Sequence, residues 1–149
     1  MTRRRDWVLA IVLGMATAAC DEKLSDVAGP TPNLQPTFAS IQREIFNTTD
    51  SSGRQACTQC HTQAARNFVG GLVLAEGLSY QALVNQPSRN KPGAIRVIPG
   101  DPDGSYLIHK LEGGPGIAGI RMPGTGGPYL TAGQISIIRR WIQLGAKND

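Results

Sequence analysis

The feature that most constrains this chain is a Cys-x-x-Cys-His motif formed by Cys57, Cys60 and His61. Two thiols at this spacing can reach the two vinyl groups on one edge of a porphyrin and form thioethers, while the adjacent imidazole can bind the iron. The motif therefore predicts one covalent haem c, attached through Cys57 and Cys60. His61 is the predicted axial ligand on one side of the iron.

The composition favours a single small domain that needs such a group. The chain has 149 residues, of which 17% are charged and only 5% are aromatic, and it contains 18 glycines and 10 prolines. These values predict one domain with a small core and long loops. A buried apolar macrocycle would replace large side chains that the sequence lacks.

Three other interpretations are compatible with the motif. A redox Cys-x-x-Cys pair normally follows a strand in a βαβ unit, whereas a predicted helix and a polar turn precede Cys57 here. Structural zinc needs four ligands, and His109 is the only other histidine that could join Cys57, Cys60 and His61. A disulfide between the two cysteines is the third interpretation, since exported proteins commonly contain disulfides.

The N-terminus has the order of a secretory signal. Three arginines precede an uncharged run of 13 residues, Trp7 to Ala19, which as a helix is too short to cross a membrane. The segment Thr17 to Cys20 resembles the bacterial lipobox. We therefore predict a lipoprotein-type signal peptide at residues 1–19 and lipidation of Cys20, which would anchor the exported protein on the periplasmic side of a bacterial membrane. Cleavage that leaves an unmodified Cys20 is the alternative.

The net charge does not indicate a nucleic-acid partner. The formal charge is +4, and Arg3, Arg4, Arg5 and Asp6 in the predicted signal contribute 3 − 1 = +2 of it. Most of the remaining basic residues are scattered singly, and no aromatic platform lies between them. We therefore expect no binding to nucleic acid.

Residues 20–36 contain Gly29, Pro30, Pro32 and Pro36 without hydrophobic periodicity, which predicts a flexible tether. The folded domain is predicted at residues 37–149. Its apolar spacing and capping signals predict four helices and no long strand. They are a helix from Thr37 to about Asn47, one over Ser79–Asn85, one that starts with Asp101-Pro102 ahead of Tyr106, and a last one from the capping box at Thr131 to Gly145.

These segments together resemble the mono-haem cytochrome c domains, in particular those of bacterial exported and lipid-anchored proteins. The resemblance covers about residues 38–146. It lies in the Cys57 to His61 motif after a first helix, in Gly71 to Leu74, in Ile98 to Ile108, in Arg121-Met122-Pro123, and in Leu130 to Gln134 leading to Trp141-Ile142 and Gly145-Ala146. It implies an all-α fold, a small cytochrome c-like domain of about four helices around a covalent haem, with long Gly/Pro-rich loops.

In this family a methionine on a loop before the last helix supplies the second axial ligand, and Met122 matches that position. Pro123 biases the backbone of Met122 towards an extended conformation. Two alternatives stand beside this prediction. Met122 can be a core side chain, or His109 can be the sixth ligand. The resemblance further implies that Trp141 packs with Phe38 or Phe46 where the first and last helices cross.

The resemblance implies a one-electron carrier with His/Met ligation, not an enzyme by itself, whose partners are redox proteins of the periplasm. Basic residues at Lys91, Lys110, Arg121 and Arg139-Arg140 could face an acidic partner. Two other functions are alternatives. One is a haem subunit or domain of a peroxidase or gas-reactive enzyme, with Met122 absent from the iron. The other is a non-haem structural lipoprotein.

Overall fold

The structure is a computed structural model that describes residues 29–149. The predicted signal peptide (residues 1–19), Cys20 and the first part of the tether lie outside the described residues. Within residues 29–149, no helix has both the length and the apolar character needed to cross a membrane.

Regular secondary structure in the described part of the chain is helical. The helices are α1 (Phe38–Ile41), which continues as a π-helical turn (Gln42–Phe46), α2 (Ser79–Leu83), α3 (Tyr106–Glu112) and α4 (Ala132–Gln143), with a short 3₁₀ turn at Cys57–Gln59. Residues 29–149 form no strand, only isolated bridge pairs such as Val84 with Val97. The predicted all-α class is therefore confirmed for this part of the chain.

The capping residues explain where the first and last helices begin. Thr37 is extended, and its hydroxyl accepts a hydrogen bond from the backbone N–H of Ser40 at 3.3 Å. Thr131 forms a complete capping box with Gln134, because each side chain accepts from the backbone N–H of the other residue, at 2.8 and 3.1 Å. Both predicted helix starts are confirmed.

The predicted start of the third helix is wrong. Asp101 does not cap a helix with Pro102 at its first position; instead, its side chain accepts from the N–H of Gly104 at 2.8 Å and closes a turn. Ser105, whose hydroxyl donates to the carbonyl of Asp101 at 2.7 Å, precedes α3. The local Asx-type hydrogen bond satisfies the Asp101 carboxylate before the helix begins, so the helix starts at Tyr106.

The core forms between the first and last helices. Phe38 lies against Trp141, with ring centroids 5.5 Å apart, and it also makes edge contacts with Tyr80 and Phe46 at 5.1 and 6.4 Å. The isoleucines of α4 are buried, as is Trp141. Leu144, just after the end of α4, is 46% exposed. The expected packing of Trp141 with Phe38 is confirmed.

Packed structure begins upstream of the predicted boundary at Thr37. Leu34 is completely buried in the core, and Thr31 is buried beside it. The side-chain amide of Gln134 donates to the Thr31 hydroxyl at 3.1 Å. The last part of the predicted tether therefore belongs to the domain, because an anchoring leucine and a buried hydrogen bond tie it to α4.

A buried ion pair organises the segment ahead of the Cys-x-x-Cys-His motif. The Arg54 side chain is fully buried, and its Nε donates to Asp50 at 3.0 Å. Its remaining donors reach backbone carbonyls of the first helix and the following turn, those of Glu44, Ile45, Thr48 and Gln55. Asp50 also accepts from Gln134 on α4, at 3.3 Å. One charged pair thus joins both ends of the domain to the start of the motif.

The electrostatics of Asp50 predict an acid-sensitive contribution to stability. Burial alone would raise the pKa of Asp50, but hydrogen bonds from Ser52 and Gln134 and the charge of Arg54 outweigh it, so this pKa lies below its ordinary value of 3.8. The ionised Asp50 carboxylate therefore stabilises the folded state fully above pH 3.8, and this stabilisation is lost as the pH falls through the pKa of the folded state. Asp50→Asn should lower the free energy of unfolding at pH 7 by about 3 kcal/mol, because Arg54 stays buried without its partner.

Urea unfolding followed by circular dichroism between pH 7 and pH 2 checks this. The difference between wild type and Asp50→Asn should shrink below about pH 4. Asp103→Asn is the matched control, because it removes an exposed carboxylate that also pairs with an arginine, Arg139. That variant should change stability by less than about 1 kcal/mol. Equal effects of the two substitutions would contradict the importance of the buried pair.

Candidate functional site

A cavity of about 400 Å³ lies beside the Cys-x-x-Cys-His motif. This volume is within the range of cofactor pockets, roughly 300–1,000 Å³. Apolar side chains from all parts of the domain form much of its wall, among them Phe46, Leu72, Leu83, Leu107, Leu111 and Leu130. Four residues that the sequence singles out, Cys57, Cys60, His61 and Met122, line the same cavity.

The 3₁₀ turn at Cys57–Gln59 carries both thiols to the cavity. Thr58 fastens this turn to the first helix, because its hydroxyl donates to the carbonyl of Phe46 at 3.0 Å. Burial raises the pKa of the Cys57 thiol to about 11, whereas Cys60 is exposed. Cys57 is therefore a neutral thiol at the cavity wall, and Cys60 lies at the cavity edge.

His61 follows the turn with its ring oriented by the backbone. Its Nδ1 lies 3.1 Å from the carbonyl oxygen of Leu72, so Nδ1 carries the proton and donates to it. Burial is the main cause that lowers the pKa of His61 below 6.5, which keeps the imidazole neutral at neutral pH. The unprotonated Nε2 is then free to bind a metal, and a carbonyl partner at the other nitrogen is the usual arrangement for a histidine ligand.

Met122 reaches the cavity from a loop 61 residues further along the chain. Its side chain is half-buried against the core, and its backbone N–H donates to the carbonyl of Lys110 on α3 at 2.8 Å. The Met122–Pro123 peptide bond is cis.

His109, the other predicted candidate for the sixth ligand, does not line the cavity. It is exposed, and its Nε2 donates to the carbonyl of Asp103 at 2.7 Å.

The charged residues that line the cavity are all basic: they are Arg54, Arg96 and Lys110, and no Asp or Glu of residues 29–149 is among them. Arg96 donates to the carbonyls of Ala82 and Gly70 at 2.7 and 2.9 Å. Its half-burial lowers the pKa of its guanidinium, and the charge of Arg89 adds to this effect. Arg54 is neutralised by Asp50, so Arg96 and Lys110 make the cavity attractive to an anionic group.

Some of the basic residues proposed for partner docking have structural roles. Arg139 pairs with Asp103 and Glu112, and so joins α4 to α3 and the turn before it. Arg121 donates to the carbonyl of Leu111 at 2.7 Å and lies 4.1 Å above the ring of Tyr129. These contacts indicate that both arginines stabilise the fold.

The described residues show neither a disulfide at the motif nor a preformed group of metal-binding side chains. Cys57 and Cys60 are both free thiols, with no disulfide between them. No group of three or more His, Cys, Asp or Glu side chains among residues 29–149 is arranged to hold a metal ion by itself. A structural zinc site would require such a group.

Sequence patterns did not reveal three residues at the cavity. Arg54 is separated from Cys57 by two residues and resembles an ordinary surface arginine. Arg96 is a single cation between Ile95 and Val97, and this isolated charge in an apolar run was the available signal. Phe68 is 90% exposed although it lines the cavity, and nothing in its neighbourhood distinguishes it.

Comparisons of the chain with protein-family models, with curated proteins and with solved structures gave no match. Function is therefore inferred from the residues that line the cavity.

Proposed function

We propose that this chain is a one-electron carrier with one covalent haem c and His/Met axial ligation. The observation that supports this most strongly is a single cavity lined by Cys57, Cys60, His61 and Met122. These residues include two thiols for attachment and two different iron ligands, which come from segments far apart in the chain. Met122 meets the motif at this cavity although 61 residues separate it from His61 in the chain.

The residues of the cavity fit a haem in chemistry as well as in size. The thiols of Cys57 and Cys60 can each add across a vinyl group, with the S–H hydrogen passing to carbon, so attachment needs no further oxidant. The apolar wall suits a macrocycle, and a propionate carboxylate of a haem would find Arg96 without an acidic competitor among the described residues that line the cavity. The porphyrin would complete a core that has few aromatic side chains.

When bound, haem c supplies an iron that accepts and releases one electron at a time. His61 would hold that iron through Nε2, since Nδ1 is engaged with Leu72. Met122 would supply a thioether sulfur, a soft ligand that favours the ferrous state. With both axial positions filled by side chains, no site remains for substrate, which is why we propose an electron-transfer protein and not an enzyme by itself.

The same proposal extends to fold and location. The four described helices, with long Gly/Pro-rich connections around a cavity, support a cytochrome c-like domain. The signal-like N-terminus and Cys20 support export and lipid anchoring on the periplasmic side of a bacterial membrane. Redox proteins of the periplasm would then be its partners.

Attachment through two thioethers predicts that haem cannot be extracted. The mature chain produced with a haem-maturation system should gain one haem mass that survives denaturation and acid-acetone treatment, because thioethers do not dissociate. In Cys57→Ala/Cys60→Ala all haem should be lost to extraction. Mass spectrometry of the extracted protein measures both results. Complete extraction from the wild type would exclude covalent attachment.

Ligation by Met122 predicts a specific spectroscopic change. The ferric wild type should show the weak near-infrared band of sulfur-to-iron charge transfer, and Met122→Ala should abolish it and become partly high-spin. The reduction potential should fall as well, because the soft ligand that favours ferrous iron is lost. His109→Ala is the matched control and should leave spectrum and potential unchanged. If His109→Ala changes the spectrum and Met122→Ala does not, the protein is a bis-His cytochrome. A high-spin wild-type protein would favour a gas-reactive or peroxidase haem.

Lipidation predicts a change of cellular fraction without a change at the haem. Cys20→Ser should move the protein from the membrane to the soluble fraction, because the acyl chains of a lipoprotein cysteine provide the anchor. Its haem spectrum should match the wild type. A membrane-extracted wild-type protein with an unmodified Cys20 thiol would rule out this anchor.

A further inference from the structure

The segment that carries Met122 has no regular secondary structure, but two of its backbone N–H groups donate hydrogen bonds to helix α3. We call residues 117–122 the Met122 strap. The N–H of Ala118 donates to the hydroxyl of Tyr106 at 2.7 Å, and the N–H of Met122 donates to the carbonyl of Lys110 at 2.8 Å. Both partners lie on one helix, so the position of the strap depends on α3.

Lys110 contacts the strap at three points. Besides the backbone bond to Met122, its ammonium donates to the carbonyl of Ala118 at 2.8 Å and to that of Ile120. It is half-buried at the cavity, and no carboxylate of the described residues lies within ion-pair distance of it. Its ammonium therefore donates to neutral backbone carbonyls of the strap. Hydrogen bonds from a charged donor are stronger than those between neutral groups.

The end of α3 adds to this arrangement. The helix ends at Gly113, whose φ of 80° lies in the left-handed region. A side chain there would meet the Arg121 side chain, because a Cβ built on Gly113 would lie 3.0 Å from its Cδ. The strap thus passes close to the helix end, with Arg121 held by the carbonyl of Leu111. Little of this geometry depends on the haem itself.

We propose that Lys110 is a positioning residue that holds the strap so that the sulfur of Met122 stays at the sixth position of the haem iron. This inference rests on the proposed function and deepens it. Without the ammonium, two strap carbonyls lose their donor, and the strap should spend more time displaced from the cavity. Access of small ligands to the iron is thereby controlled by a lysine that does not bind the iron.

The test uses the haem-loaded mature protein in its ferric state and imidazole as the probe. Imidazole competes with Met122 for the sixth position, so its apparent dissociation constant is inversely proportional to the population in which the strap is open and falls as that population rises. Lys110→Met keeps most of the length of the side chain and removes its donors. It should lower the apparent dissociation constant at least about tenfold, because two hydrogen bonds from a charged group are lost and one alone accounts for about that factor.

Two further variants separate positioning from general charge effects. Lys110→Arg should restore the affinity to within about threefold of wild type, since a guanidinium can donate to two carbonyls. Lys91→Met is the matched control, because Lys91 also donates to a loop carbonyl, that of Gly116, just outside the strap. It should leave the imidazole affinity within about twofold of wild type. If Lys110→Met does not load haem, Lys110→Leu takes its place, because leucine also lacks a donor, and an unchanged affinity in that variant overturns the proposal.

The outcomes distinguish this inference from the proposed function. Loss of haem on extraction would defeat the proposed covalent attachment, and a Met122→Ala variant with unchanged imidazole affinity would defeat the proposed ligation. If Met122→Ala raises the imidazole affinity while Lys110→Met leaves it unchanged, only the role of Lys110 is refuted. An equal effect of Lys91→Met and Lys110→Met also refutes it, because charge alone would then explain the change.

Discussion

The buried ion pair of Arg54 with Asp50 connects the parts of the domain on which the site depends. Arg54 binds carbonyls at the end of the first helical segment and in the following turn, and Asp50 reaches Gln134 on α4. A buried arginine is tolerated only when its charge and its donors are satisfied, and here they are. Because the motif begins three residues after Arg54, this network determines where Cys57 enters the cavity wall.

The motif, the first helix, α3 and the Met122 strap all contribute side chains to one cavity of about 400 Å³. Apolar residues of the same segments also pack together in a single core beside it. Segments that are distant in sequence therefore meet at this cavity.

Basic side chains line the cavity, whereas no acidic side chain of the described residues does. The cations at the cavity, Arg96 and Lys110, bind backbone carbonyls and not carboxylates. The acidic residues Asp103 and Glu112 are engaged with Arg139 where α3 and α4 meet. Separation of the two signs leaves the cavity positive, which favours an anionic cofactor and lets Lys110 organise the strap.

The sequence by itself determined the Cys-x-x-Cys-His motif and the capped starts of the first and last helices, because these depend on residues within a few positions of one another. Local patterns predicted a helix start at Asp101, where a tight turn satisfies the aspartate, and a tether over residues 20–36, within which Leu34 is buried in the core. The tertiary structure alone decided that Arg54 is buried and that Arg96 and Lys110 face one cavity, the cavity that Met122 also lines. These choices depend on contacts between distant segments, and no local propensity or spacing encodes them.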